Sequence, residues 1–186
     1  MKDLTQSIEA LTQQMLLEDL AEFVTLVGEA GLAGERGFRF GISYRRPKDS
    51  FMGSGQSVEF NRLIKVGIVS PENEEMYEFF AGTEKINRLR NNHMLFGHMT
   101  SYESMNLEAE FELASGKKVK GSYGGAIIAQ VAFDNSSDLI LSCSAYRQLT
   151  DEAFACFVGL KHGWLTREQF GLIKERRTDN PSLNLL

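Results

Sequence analysis

Between Asn106 and Arg147 apolar and polar residues alternate in three runs. Leu107, Ala109, Phe111 and Leu113 alternate with Glu108, Glu110 and Glu112. Val119, Tyr123, Ile127, Ala129, Val131 and Phe133 share the next register, and Leu139, Leu141, Cys143 and Ala145 the third. A period of two is what a half-buried strand requires. Turn residues at 115–117 and 134–137 separate the runs, so the pattern predicts a three-stranded meander with one dry face. A three-residue loop would set Glu112 against Lys120 and Leu113 beside Val119, which satisfies charge and burial together.

The rest of the chain reads in order from the same logic. Leu4, Ile8, Leu11, Met15, Leu20, Phe23, Val24 and Val27 recur at helical spacing. They predict one long amphipathic helix from Asp3 to Gly28, opened by a capping box at Asp3 and Gln6. This helix is expected to cover a sheet, with a helix–helix dimer seam as the second possibility. Phe38, Phe40, Ile42 and Tyr44 alternate with Arg39, Ser43 and Arg45, a strand that Pro47 ends or places at an edge. Lys48 to Ser57 has no period; its exposed Phe51 and Met52 are candidate partner contacts or a lid, and its GSG lacks the Lys-Ser/Thr of a phosphate loop. Arg62 to Val69 is the next expected strand, with Ile64, Val66 and Ile68 inward, pairing with 38–46.

Ser70, Pro71 and the acids Glu72, Glu74 and Glu75 start a helix. Gly82 and Thr83 break or kink it, and Thr83 can cap a second helix that carries Ile86, Leu89, His93 and Phe96 on one side. After the meander, a helix beginning at Leu149 and Thr150 runs to His162-Gly163. A second capping box at Thr166 and Gln169 opens a last helix anchored by Phe170 and Ile173. The predicted class is α+β. About five strands, mostly antiparallel (two, then the meander), pack with the long N-terminal helix, a central helical pair and two C-terminal helices. One domain spans 1–178, and 179–186 is a polar tail with an apolar end. Over about residues 4–162 this order of elements resembles profilin-like and roadblock- or longin-type domains, including small haem-associated members. The resemblance rests on element order, so it implies an architecture and supplies no function.

Composition narrows the function classes. The chain has 186 residues, 42% hydrophobic and 24% charged, with a net charge of −5. That balance argues against a phosphate-binding surface and hence against nucleic acid. Two cysteines without metal-type spacing point to a reducing compartment. The opening MKDLTQSIEA has no apolar signal run, and no stretch reaches the roughly 18 apolar residues of a membrane span. The expected setting is cytoplasmic, away from membranes.

Candidate chemistry is sparse. His93 lies on an apolar helical stripe, where a backbone carbonyl would satisfy it. His98, Tyr102 and Glu103 fall on a polar turn past the helix, a spacing open to acid–base work. Gly121, Gly124 and Gly125 cluster in mid-strand, marking a bulge or a close backbone approach beside Ser122 and Tyr123. Cys143 falls on the dry face and reads as a small core residue, and His162 is accounted for by its place at a helix end.

The first expectation is therefore a non-enzymatic binding or protein-interaction domain that self-associates. The alternative is a small-ligand site or enzyme between the 97–103 turn and Gly124/Gly125. There His98 would be acid or base and Glu103 its orienting group, with Tyr102, Ser122, Tyr123 and Arg147 as contacts. A second alternative is haem held by His98 or His93, with Met94 and Met99 nearby. No catalytic residue, metal ligand or cofactor is assigned.

Overall fold

The computed structural model describes residues 4–28, 37–46, 58–103, 124–131, 138–144 and 148–186. Strand β1 (Phe38–Arg46) lies at the centre of the molecule. It pairs antiparallel with β2 (Val58–Val66) on one side and β4 (Asp138–Ser144) on the other. β3 (Ala126–Val131) pairs antiparallel with β4, so the described strands form a four-stranded sheet ordered β2-β1-β4-β3. The class is α+β as expected. The first meander strand and the Glu112–Lys120 pairing lie outside the described residues, as do Phe51 and Met52.

Period-two alternation divides β1 between two faces, and both are covered. Phe38, Phe40 and Ile42 join Leu139, Leu141, Cys143, Ile127 and Ala129 in the larger core. Helices α1 (Leu4–Ala10), α2 (Gln13–Val27) and α5 (Gln148–Lys161) close over that face, with Ile8, Leu16, Leu20, Phe23, Phe154 and Phe157 facing it. On the other face Ala126, Ile128 and Ile140 form a smaller core with Ile86 and Leu89 of α4 (Lys85–Phe96). Sequence alternation suggested a sheet with one dry face. The second face is buried too, because the helices crossing it carry the charges that its polar residues need.

The helix covering that second face is continuous. α3 (Pro71–Phe79) runs through a π-helical turn, Phe80–Glu84, directly into α4. Gly82 and Thr83 therefore do not separate two helices. A π turn widens the backbone and exposes a carbonyl. Here the Ala81 carbonyl points into the sheet and accepts a hydrogen bond from Ser142 Oγ. A Cβ on Gly41 would lie 1.9 Å from that oxygen. Gly41 is thus glycine because helix backbone touches strand backbone there. Gly41→Ala is expected to cost about 3 kcal/mol, the upper part of the overpacking range. A urea melt should show it as a lower midpoint with an unchanged slope.

The N-terminal stripe is split rather than continuous. α1 ends at Ala10, and Thr12 caps α2 by accepting from the Met15 N–H at 3.1 Å. Arg62 holds the end of α1, donating from Nη1 to the Ile8 and Glu9 carbonyls at 2.6 and 2.9 Å. Leu11 is buried between the two helices, so one apolar stripe serves both. β2 stops at Val66, and Ile68, expected inward, is 88% exposed.

After α5 comes α6 (Arg167–Arg176), whose capping box at Thr166 and Gln169 forms as read. The segment 179–186, expected as a tail, folds back as a 3₁₀ helix, Pro181–Leu185, with Leu183 buried. Asn180 secures it by donating from Nδ2 to the Leu149 carbonyl at 2.9 Å.

Candidate functional site

α4 ends at Gly97, and the chain from His98 to Glu103 turns back along β3. Thr100 bridges to Ile127. The Ile128 N–H donates to the Met99 carbonyl at 3.0 Å, and the Ser101 N–H to the Ala126 carbonyl at 2.9 Å. Glu103 stabilises the turn by accepting from the N–H groups of Met99 and Thr100 through Oε2 at 2.7 and 2.8 Å. Its other oxygen lies 3.5 Å from Arg176, which also donates to the Gly97 carbonyl at 2.6 Å. His93 Nδ1 lies 2.7 Å from the His98 carbonyl oxygen. The His98 ring lies tilted against Phe96 at 5.5 Å between centroids.

The fold brings this turn to the glycines, but the space between them is filled. A Cβ on Gly124 would come within 2.9 Å of the Tyr102 ring and 3.0 Å of Gln148. The Tyr102 ring also carries the Arg177 guanidinium, 3.9 Å from its centroid. Gly125 has φ 114°, a backbone conformation open to glycine, and its Cβ position lies 2.7 Å from Asp151 and 3.0 Å from Lys85 Nζ. His98 stands on the Phe96 side of the turn, whereas Tyr102 and Glu103 are held by Arg177 and by backbone amides. Of the eight residues expected to line this site, Ser122, Tyr123 and Arg147 lie outside the described residues.

Behind the glycines sit buried charges. Lys85, 2% exposed, donates from Nζ to the Cys143 carbonyl at 2.5 Å and lies 3.7 Å from Asp151 Oδ2. Burial pulls its ammonium below the usual lysine range, with Asp151 opposing the shift. Burial likewise pushes the Cys143 thiol well up, with Asp151 adding to the shift, which leaves it a core residue rather than a thiolate. Glu152 is fully buried and accepts from Arg177 Nε at 3.0 and 3.2 Å and from Asn180 Nδ2 at 3.1 Å. Arg90 binds both Asp138 oxygens through Nε at 3.1 Å and Ser43 through Nη2 at 2.6 Å. Arg39, expected on an open strand face, is buried against Glu74 at 3.0 Å and Glu78 at 3.6 Å.

The Asp19 carboxylate meets His162 at 2.8 Å and Lys161 at 3.0 Å. Burial raises its pKa, but hydrogen bonds from His162 and Lys161 outweigh that and leave it below the usual carboxylate range. Glu74 and Glu78, one helical turn apart, meet Arg39 and Lys65 of paired strands, and that i, i+4 spacing of acids is the one signal in the sequence that could have pointed to them. Lys85–Asp151 and Glu152–Arg177 carried no such signal. Among the described residues, no group of three or more His, Cys, Asp and Glu could hold a metal ion.

These pairs join one element of the fold to another and leave the outer surface as the remaining candidate. Among the described residues β2 pairs only with β1, and no described strand lies on its other edge. A groove of about 440 Å³ runs beside it, lined by Asn61, Arg62 and Leu63 of β2 and by Glu75, Glu78 and Phe79 of α3. Phe79 is half exposed and Met76, one turn earlier, is also exposed. At the far end of α4, Met94, Leu95 and Phe96 are all exposed. No helix among the described residues is long and apolar enough to cross a membrane. No family model, curated protein or solved structure matches this chain.

Proposed function

We propose that this chain is a non-enzymatic protein-interaction module of the cytoplasm that works as a homo-oligomer. The observation that carries this reading is the outer edge of β2, unpaired among the described residues and running beside a groove rimmed by Phe79 and Leu63. Long exposed edge strands template pairing with another chain unless they are shortened, covered, broken or charged, and β2 carries Glu59, Arg62 and Lys65. β2 is nine residues long and contains no proline. Exposed Met76 and Phe79 add apolar area next to the edge, as interface cores use. The buried ionisable residues support the same reading. Lys85, Glu152, Arg177, Arg90 and Arg39 each join one element of the fold to another, as structural ion pairs do.

The test is the mass in solution. Size-exclusion chromatography with light scattering, from dilute to concentrated protein, should give a defined multiple of the 20.9 kDa chain. A single-chain mass at every concentration would overturn the reading.

A further inference from the structure

We infer that the outer edge of β2, which no described strand pairs, pairs antiparallel with β2 of a second copy, about a twofold axis passing beside Arg62. The inference rests on the self-association proposed above and names its surface and register. β2 reads Val58-Glu59-Phe60-Asn61-Arg62-Leu63-Ile64-Lys65-Val66. In an isologous contact, a residue facing one position of its partner is faced by that position in return. With Arg62 at the axis, Glu59 faces Lys65 and Lys65 faces Glu59, Phe60 faces Ile64, and Val58 faces Val66. Both charge pairs are attractive and Phe60 with Ile64 brings apolar residues together, which is the cross-strand matching that stabilises sheets, while Asn61 faces Leu63.

Neighbouring registers lose this match. Centred on Asn61, the pairing sets Glu59 against Leu63 and Phe60 against Arg62. Centred on Leu63, it sets Arg62 against Ile64 and leaves Lys65 facing Asn61. The exposures of the charged pair fit the Arg62 register, whereas Ile64 and Val66 are already buried in their own core. The Lys65 and Glu59 side chains are 54% and 45% exposed, open to a partner although Lys65 also meets Glu74 and Glu78 and Glu59 lies 3.7 Å from Arg90. Arg62 would face its own copy, a like-charge contact. Its guanidinium, however, is turned away onto the Ile8 and Glu9 carbonyls, at the negative end of α1. Glu59, Asn61, Leu63 and Lys65 lie on the α3 side of β2, and the groove beside that edge would receive the partner's strand and α3.

The register makes position 62 face itself, so cross-linking reads it directly. Facing residues of antiparallel strands have Cα atoms about 4.5–5.5 Å apart, within disulfide reach. The two native cysteines are buried. On mild oxidation Arg62→Cys should run as a covalent dimer. Glu59→Cys and Lys65→Cys should each stay single alone and cross-link when mixed. Charge reversal provides a second readout. Glu59→Lys and Lys65→Glu should each weaken the dimer at least about tenfold, by creating two like-charge pairs. Mixing the two variants, or combining both changes in one chain, should restore association.

Circular dichroism melts on each variant show which of them are folded, and the folded ones decide. A single-chain mass for the unmodified protein would refute self-association itself. A defined oligomer with no cross-link at position 62 and no response to charge swapping would refute only the β2 register.

Discussion

Replacing Arg177 with methionine is expected to destabilise the fold by about 3–5 kcal/mol, the usual result of leaving one member of a buried ion pair without its partner. Glu152 is fully buried, and Arg177 reaches both of its oxygens from the far end of α6. The same guanidinium covers the Tyr102 ring, so the substitution also removes a cation–π contact. Two further changes separate charge from packing. Glu152→Leu together with Arg177→Met removes both charges, and well-packed apolar replacements of buried pairs are often neutral. The double variant should therefore recover most of the loss.

The pH dependence has a definite sign. Burial raises the Glu152 carboxyl above its usual range, against the opposing pull of Arg177 and Asn180. The folded state thus holds this proton to higher pH than the unfolded chain does. Its contribution is fully present below the unfolded pKa and is lost as pH rises through the folded one. Urea melts on the acid side of neutrality should show this slope in the parent and not in Glu152→Gln.

Much of the architecture was legible because alternation and capping are local. Phe38 to Tyr44 announced β1, Leu139 to Cys143 announced β4, and Thr166 with Gln169 announced α6. Alternation tells which residues share a face, not what covers it. Arg39 and Ser43 looked like solvent-facing positions and are buried, because Glu74, Glu78 and Arg90 come down on them from the α3–α4 helix. The stripe from Leu4 to Val27 could not show the break at Thr12, since the same residues bury whether the helix is one or two. Gly82 and Thr83 announced a break or a kink, and the π turn is the second of these, since it has no sequence signature apart from a kink.

For the candidate site, the juxtaposition of the 97–103 turn with Gly124 and Gly125 was legible, and its content was not. Tyr102, Gln148, Asp151 and Lys85 occupy the space that those glycines leave. Glu152 and Asn180 meet across 28 positions, and a polar composition at 176–186 gave no hint that Arg177 and Asn180 would be core residues.

Phe154→Ala should cost about 3–5 kcal/mol, at the level of other large aromatic deletions. The Phe154 ring lies 5.4 Å from Phe23 of α2 and 5.5 and 6.0 Å from Phe38 and Phe40 of β1, the last two edge-on. It is the one side chain joining α5, α2 and the central strand through ring contacts among the described residues, so its loss opens a cavity that three elements border. Edge-to-face geometry adds to the area lost, since each such pair contributes about 0.5–1.5 kcal/mol. Phe157, which meets Phe23 at 5.7 Å and is slightly exposed, should cost less when truncated. Against a typical total of about 5–15 kcal/mol, the Phe154 loss is a large share, and a urea melt will measure it. This core lies on the face of β1 opposite Gly41, and β2 enters it through Ile64 and Val66, whereas the Phe154 ring contacts are with α2 and β1. Where Phe154→Ala remains folded, the cross-link through Arg62→Cys should therefore form as in the parent. Loss of both together in folded protein would mean that the edge is positioned through the aromatic core.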